Sequence, residues 1–181
     1  MDWQYPKEKR KEFATLDLAN KSLFGELLIS DFPNLSRLDC RYNQLTKLAI
    51  ANCPQLKFLN TGNNCVTNLV IDYPKQLTSL GIHNNNFPSQ DLSFFQHFTN
   101  LEDVWLGNNP FYGSLEPLKE LKRLKNLDIS HTNIDRGLEY LSERSEQIEL
   151  QKNTDSPEEV IQELQPYSLS GRGALNYSLQ Q

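Results

Sequence analysis

The chain has 181 residues, of which 38% are hydrophobic and 10% aromatic, with a mean hydropathy of −0.60 and a formal net charge of −5. The length predicts one domain, and the aromatic content excludes a disordered chain. No apolar run approaches the ~20 residues of a membrane-spanning helix, and the acidic balance argues against nucleic acid and membrane surfaces as partners. Leu and Asn are over-used, at 29 and 18 residues, which indicates many short apolar segments separated by turns.

Residues 1–12 are predicted to cap the N-terminal end of the fold. Pro6 begins a charged run that ends at Glu12, and Pro is favoured in the first turn of a helix. We expect a short helix here, with Trp3 and Tyr5 covering the apolar segment that follows. Open stacks of repeats need such polar caps over their terminal units.

The N-terminus and the cysteines predict a cytoplasmic protein. The first seven residues include charged and polar side chains and lack the apolar stretch of a secretory signal. The three cysteines are Cys40, Cys53 and Cys65. An odd number without a paired framework is typical of a reducing compartment.

Residues 13–155 contain one eleven-residue pattern seven times, L-x-x-L-x-L-x-x-N-x-L. The copies start near residues 13, 35, 56, 77, 101, 124 and 145, at separations of 22, 21, 21, 24, 23 and 21 residues. The first and last copies match the pattern more weakly than the other five. A pattern that returns at a near-constant interval is the signature of a solenoid of stacked coils.

The centre of each copy predicts a short strand. Its apolar residues alternate with polar ones at period two, so one face of the strand is buried. Such strands stack into a parallel sheet over a continuous core. The return path is short and extended after Leu45 and Val66, whereas the longer paths after Phe87 and Phe111 favour a helical turn. We therefore expect the convex side to become more helical toward the C-terminus.

The Asn of the pattern comes where each strand must turn away. A side-chain amide both donates and accepts hydrogen bonds, so it can satisfy backbone groups of adjacent coils. Five copies carry this ladder Asn, at Asn43, Asn64, Asn85, Asn109 and Asn153. Lys21 and Thr132 stand there in the other two copies, which we expect to turn less regularly.

Residues 156–181 are predicted to form a C-terminal capping helix and a mobile tail. Ser156 and the acids that follow it are a helix-start signal. Val160, Ile161 and Leu164 give that helix one apolar face to lay over the last coil. From Ser168 onward the chain is rich in Ser and Gly, which is typical of a mobile terminus.

The pattern resembles the leucine-rich repeat family over residues 13–155. The resemblance implies an α/β leucine-rich repeat solenoid: a short right-handed arc with a parallel concave sheet of about seven strands and a mixed extended and helical convex side. It also implies a function, because leucine-rich repeats generally bind a protein or peptide. Residues 52–56 and 5–12 are similar to an expanded set of fungal leucine-rich repeat proteins, some of which are linked to protein kinase domains; the sequence itself has no kinase motif.

The repeat register places a set of side chains on the concave face. Phe58 and Trp105 point away from the core, and Gly62, Gly81 and Gly107 are expected to leave open space among them. Exposed aromatics beside such gaps have the composition of a binding hot spot. The predicted partner-binding residues are Arg37, Arg41, Tyr42, Phe58, His83, Asp103 and Trp105.

Two alternatives stand beside this prediction. Trp105 can instead pack over Gly81 and simply cover the sheet. Arg37 and Arg41, beside Asp17 and Asp39, can instead form a solvated charge ladder, which is the commoner role of such charges.

The sequence predicts neither catalysis nor a metal or cofactor site. Asp128, Ser130 and His131 lie close in sequence, but their order on one strand does not provide the geometry of acyl transfer. His83 and His131 lie two coils apart, ~10 Å by strand spacing, which is too far for one metal ion.

Two functions follow from the sequence. The first is a non-catalytic, monomeric interaction module that binds a protein or peptide on the concave face. The alternative is a structural or regulatory region of a larger signalling protein, for example a kinase-linked one, that packs on a neighbouring domain.

Overall fold

A computed structural model describes residues 5–142, 149–151 and 176–177 of the chain. Eight parallel strands form the concave sheet, in the order β1-β3-β5-β7-β8-β10-β12-β13. They are β1 (Thr15–Asp17), β3 (Arg37–Asp39), β5 (Phe58–Asn60), β7 (Ser79–Gly81), β8 (Asp103–Trp105), β10 (Asn126–Asp128), β12 (Glu149–Gln151) and β13 (Asn176–Tyr177). The parallel solenoid predicted from the repeats is confirmed.

The repeated apolar positions form one continuous core. The middle residue of each of the first six concave strands points inward and is at most 2% exposed; these residues are Leu16, Leu38, Leu59, Leu80, Val104 and Leu127. The strand register pairs each of them with its equivalent in the next coil. Burial of one side chain per strand against identical neighbours accounts for the stacking of strands only three residues long.

The convex side is mixed, as predicted. Three strands form a second parallel sheet: β2 (Phe24–Ser30), β4 (Gln44–Ala51) and β6 (Asn68–Ile71). Short 3₁₀-helices then follow at Pro74–Gln76, Leu92–His97 and Glu116–Leu118, and β9 (Tyr112–Ser114) pairs with β11 (Asn133–Arg136). The helix α1 covers Glu139–Ser142. No helix within the described ranges is long and apolar enough to cross a membrane.

The N-terminal cap is a 3₁₀-helix over Lys7–Glu12. Arg10 on this helix is 3% exposed and donates hydrogen bonds to the carbonyl oxygens of Tyr5 and Ser30 at 2.8 and 2.9 Å. The Tyr5 ring packs edge-on against Phe13 and Phe32, at centroid distances of 5.2 and 6.0 Å. The helix therefore closes the first coil through an aromatic cluster, and Trp3 lies outside the described residues.

The C-terminal coils differ from expectation in two ways. A copy starting at 145 would align Ile148 with Leu127, but the sheet pairs Leu127 with Leu150. The seventh coil is therefore set two residues further along the sequence than the pattern predicted. Asn176–Tyr177 adds an eighth strand where the sequence predicted a tail. The predicted capping helix and Asn153 lie outside the described residues.

Candidate functional site

Four successive concave strands, β3, β5, β7 and β8, are each held at their end by the amide of a ladder Asn. The Asn64 side-chain amide donates to the carbonyl oxygens of Thr61 and Gly62 in its own coil, at 3.0 and 3.3 Å. It also donates to Cys40 of the preceding coil at 3.0 Å, while its Oδ1 accepts from the Leu45 N–H at 3.0 Å. One buried side chain thus satisfies four backbone groups and ties two coils together.

The other ladder positions vary on this theme. Asn43 and Asn85 make the same donor and acceptor contacts to their own and the preceding coil. Asn109 keeps its three donor contacts, but its buried Oδ1 has no hydrogen-bond partner among the described residues. Thr132 replaces the amide with one hydroxyl bond to the Ile129 carbonyl at 2.7 Å. The coil at Thr132 therefore lacks the cross-coil tie.

The residue directly before each ladder position adopts a left-handed backbone. Its φ lies between +51° and +56° in six successive coils, at Asn20, Tyr42, Asn63, Asn84, Asn108 and His131. Asn tolerates this conformation better than other non-glycine residues, which explains why four of the six are Asn. Tyr42 is exposed at 53% and holds an aromatic side chain in this unfavourable backbone state.

The outward side chains of the concave sheet form three columns. The first contains Thr15, Arg37, Phe58, Ser79, Asp103 and Asn126, and the second contains Asp17, Asp39, Asn60, Gly81, Trp105 and Asp128. The third follows the strands and contains Arg41, Gly62, His83, Gly107 and Ser130. Six of the seven predicted partner-binding residues lie in these columns. The seventh, Tyr42, lies beside them in the left-handed row, the set of positive-φ residues directly before the ladder positions.

Two arginines form an ordered cluster at the N-terminal half of this face. The Arg41 guanidinium donates from Nε and Nη2 to the Asp39 carboxylate at 2.9 and 2.8 Å. The Arg37 guanidinium carbon lies 3.5 Å from the centre of the Phe58 ring, and its Nη2 lies 3.9 Å from Asp39. The structure therefore brings Arg37, Arg41 and Phe58 together around Asp39.

The Asp39 carboxylate stays ionised within this cluster. Burial opposes its charge, but hydrogen bonds from the side chain and backbone of Arg41, with the charges of Arg41 and Arg37, hold its pKa below the ordinary value. The same pair raises the pKa of Arg41. The sequence contains a signal for this arrangement, because Arg37, Asp39 and Arg41 alternate along one strand face.

The glycine positions are not open gaps, contrary to expectation. A methyl group built on Gly62 would overlap the His83 imidazole, and one on Gly81 would lie 2.7 Å from the Asn60 amide. At Gly107 it would lie 2.6 Å from Ser130 Oγ. Each glycine thus accommodates a side chain from a neighbouring coil, and the floor of the face is filled. Over Gly81 the nearest side chain is Asn60 rather than Trp105.

His83 lies half-buried at the centre of the face. Asn63 faces its Nε2 at 3.4 Å, and Asn63 in turn accepts a hydrogen bond from the Asn84 amide at 3.0 Å. Burial lowers the pKa of His83, the Asp128 carboxylate partly opposes this, and the Arg41 charge adds to it. The folded chain therefore favours the neutral imidazole.

Trp105 occupies the C-terminal half of the face, between Gly81 and Asp128 on the flanking strands. Its side chain is half-exposed, and Asp103 lies two residues before it on the same face. Asp103 accepts a hydrogen bond from the Asn126 amide, and Asp128 accepts one from Ser130 Oγ at 2.6 Å. The sequence did not predict that the Asp128 carboxylate would lie next to the Trp105 strand position.

The described residues show no assembled catalytic or metal site. The Ser130 hydroxyl is bonded to Asp128 rather than to an imidazole base. No group of three or more His, Cys, Asp or Glu side chains within the described ranges is placed to hold a metal ion. The arrangement is suited to binding by contact and charge.

Comparison with known proteins identifies the repeats. Residues 33–73 match the family described as "Leucine Rich repeats (2 copies)". No curated protein is significantly similar to the chain. Among solved structures, an internalin (inlF) from Listeria monocytogenes is 19% identical, with a TM-score of 0.52 over 97% of this chain and 58% of its own. The Arabidopsis receptor kinase HAESA ectodomain, solved with an N-terminally extended IDA peptide hormone ligand, is 21% identical, with a TM-score of 0.49 over 77% of this chain and 30% of its own.

The chain therefore spans little more than half of the internalin and under a third of the HAESA structure. The internalin likeness shows the fold, in agreement with the parallel solenoid and its repeating register. Residues 33–73 thus match leucine-rich repeats in sequence, and the solenoid around them has the same fold and repeating register.

Proposed function

We propose that the chain is a non-catalytic interaction module that binds a protein or peptide on its concave sheet. The observation that carries this proposal is the cluster in which Arg37 packs over Phe58 while Arg41 donates two hydrogen bonds to the Asp39 carboxylate. Long side chains held in place before binding lose less conformational entropy on association. Arginine and aromatic residues are also the types that dominate binding energy at interfaces.

The shape of the face supports the same proposal. Its strands are short, parallel and tied together by buried amides, so the outward columns form a rigid grid. Trp105 lies beside Gly81 of the neighbouring strand, and this glycine has no side chain to cover the indole. A half-exposed indole on a rigid sheet provides the apolar anchor of a hot spot, with polar groups at its rim.

The test is a selection of twelve-residue random peptides, displayed on phage, against the immobilised chain. We expect enriched peptides whose affinity falls about 30-fold in Trp105→Ala, which corresponds to roughly 2 kcal/mol. Tyr112→Ala is the matched control, because Tyr112 is an aromatic residue that is 48% exposed on the convex side. Thermal unfolding of each variant checks that the fold is intact. Peptides that bind Trp105→Ala as tightly as the wild type, but lose affinity for Tyr112→Ala, would contradict the proposal.

A further inference from the structure

We infer that the segment recognised on the concave face is an extended peptide with an acidic side chain and a basic side chain about four residues apart. The acidic side chain of the peptide pairs with Arg37, and its basic side chain packs on Trp105 between Asp103 and Asp128. This inference rests on the proposed function and adds the chemistry and spacing of the partner.

The N-terminal half of the face presents a prepared donor for an anion. Arg41 uses two nitrogens on Asp39, which leaves Asp39 largely neutralised by Arg41. Arg37 reaches Asp39 only at 3.9 Å, and its side chain is 45% exposed. The contact with the Phe58 ring holds the guanidinium over the ring while nearly half of the Arg37 side chain stays exposed. A guanidinium in that position matches the two oxygens of a carboxylate.

The C-terminal half presents the opposite charge. Asp103 and Asp128 flank Trp105, and their hydrogen bonds come from neutral donors, the Asn126 amide and Ser130. Lys125, directly before Asn126 in the sequence, is paired with Glu102 at 2.6 Å, so that pair adds no net charge. Burial lowers the pKa of His83 and so favours its neutral form, although the charge of Asp128 partly opposes this. Two carboxylates around an indole are suited to a Lys or Arg side chain, through charge and cation–π attraction.

The strand register sets the distance between the two halves. Arg37 pairs with Phe58, Phe58 with Ser79, and Ser79 with Asp103, so three strand steps separate Arg37 from Asp103. At ~4.8 Å per step the separation is ~14 Å. An extended peptide advances about 3.3 Å per residue, so it crosses this span in about four residues.

The middle of the path is open to a peptide backbone. Ser79 and Gly81 are the outward residues of β7, and both are small and buried. The Asn60 amide fills the space over Gly81 and offers a polar floor. A peptide that crosses the strands therefore meets bulky charged groups at its two ends and a flat centre.

The experiment repeats the twelve-residue phage selection on the wild type and on charge-reversed chains. We expect wild-type binders to carry an Asp or Glu and a Lys or Arg about four positions apart. Their affinity falls at least tenfold in Arg37→Glu and in Asp103→Lys, the scale of a lost and inverted charge pair. Selection on Arg37→Glu replaces the acidic position with a basic one. Lys47→Glu is the control, because Lys47 is a paired and exposed residue on the convex sheet.

The milder variants Arg37→Gln and Asp103→Asn keep the test valid if a charge reversal unfolds the chain, and the same direction of effect is expected. Peptides that require Trp105 but show no acid–base spacing, or that bind Arg37→Glu and Arg37→Gln unchanged, overturn this inference while leaving the proposed function in place. If no enriched peptide depends on Trp105, the proposed function fails, and this inference fails with it.

Discussion

The guanidinium carbon of Arg37 lies 3.5 Å from the centre of the Phe58 ring on the neighbouring strand. Phe58 therefore has a structural role although its side chain points outward, because its ring positions the Arg37 guanidinium. The contact also explains why Phe58 is only half-exposed although it points away from the core. The order of Arg37 is therefore expected to depend on the ring.

Phe58→Leu removes the π face and keeps most of the apolar volume. The expected loss of stability is small, about 1 kcal/mol, because the stacked pair is partly exposed. The larger effect is on Arg37, whose Nε–H group becomes more mobile on the picosecond-to-nanosecond scale. Side-chain ¹⁵N relaxation measures this motion. Phe24→Leu, at an 81% exposed position of β2, is the control. An unchanged order parameter for Arg37 in Phe58→Leu argues against the stacking.

Asn64→Ala tests the ladder. The substitution removes the acceptor of the buried Leu45 N–H and one of the two amide donors to each of the Cys40 and Thr61 carbonyls, which keep those of Asn43 and Asn85. The expected loss in unfolding free energy is about 2 kcal/mol, measured by urea denaturation. Asn86→Ala, at an exposed neighbouring position, is expected to change stability by less than about 0.5 kcal/mol. Equal effects at the two positions would show that the amide network does not tie the coils.

Tyr42→Asn tests the left-handed row. Tyr42 has a φ of +55°, and the equivalent residue is Asn in four of the other coils. Asn relieves the backbone cost, so the unfolding free energy is expected to rise by roughly 0.5–1 kcal/mol. Chemical denaturation of both proteins measures the difference. A lower midpoint for Tyr42→Asn would mean that contacts of the Tyr42 ring outweigh the backbone cost.

Gly62→Ala tests the filling of the glycine positions. The new methyl group overlaps the His83 imidazole, so the ring must move and the unfolding free energy falls by roughly 1–2 kcal/mol. The double variant Gly62→Ala with His83→Ala removes the clash. The two substitutions are therefore expected to be non-additive in a double-mutant cycle. Additive effects would place the cost of Gly62→Ala in the backbone rather than in the contact with His83.

The pH dependence of stability follows from His83. Burial lowers its folded-state pKa below the ordinary 6.5, so the unfolded chain takes up a proton at higher pH than the folded chain. The contribution of the neutral ring is present above pH 6.5 and is lost as the pH falls from 6.5 through the folded-state pKa. Unfolding free energies measured between pH 7.5 and 5 are expected to fall less steeply in His83→Gln. Identical slopes in the two proteins contradict this assignment.

The strand register and the role of the ladder were predictable because they depend on periodic positions. Leu38 and Leu59 align because every coil repeats the same inward residues. The filling of Gly62 was not predictable, because it depends on how far the His83 side chain reaches across to the next coil. The seventh coil was placed two residues too early because Ile148 and Leu150 fit the inward alternation equally well.

The sequence carries a signal for the left-handed backbone before each ladder position. Asn stands directly before the ladder position in four of the coils, and Asn is the non-glycine residue that best tolerates positive φ. By contrast, the sequence did not predict that Arg41 pairs with Asp39 or that Arg37 contacts Phe58. It left two roles open for these arginines, a charge ladder and a binding site. Side-chain orientation decides between such partners, and the periodic pattern does not specify it.

We propose that the concave sheet is the binding surface. Adding a selected peptide to the ¹⁵N-labelled chain and mapping amide and indole chemical-shift changes tests this most directly. We predict that the largest changes fall on Phe58, Gly81 and the Trp105 indole N–H, on neighbouring strands of the concave sheet. Changes confined to the exposed residues of the convex sheet, such as Leu28 and Val70, would contradict the claim.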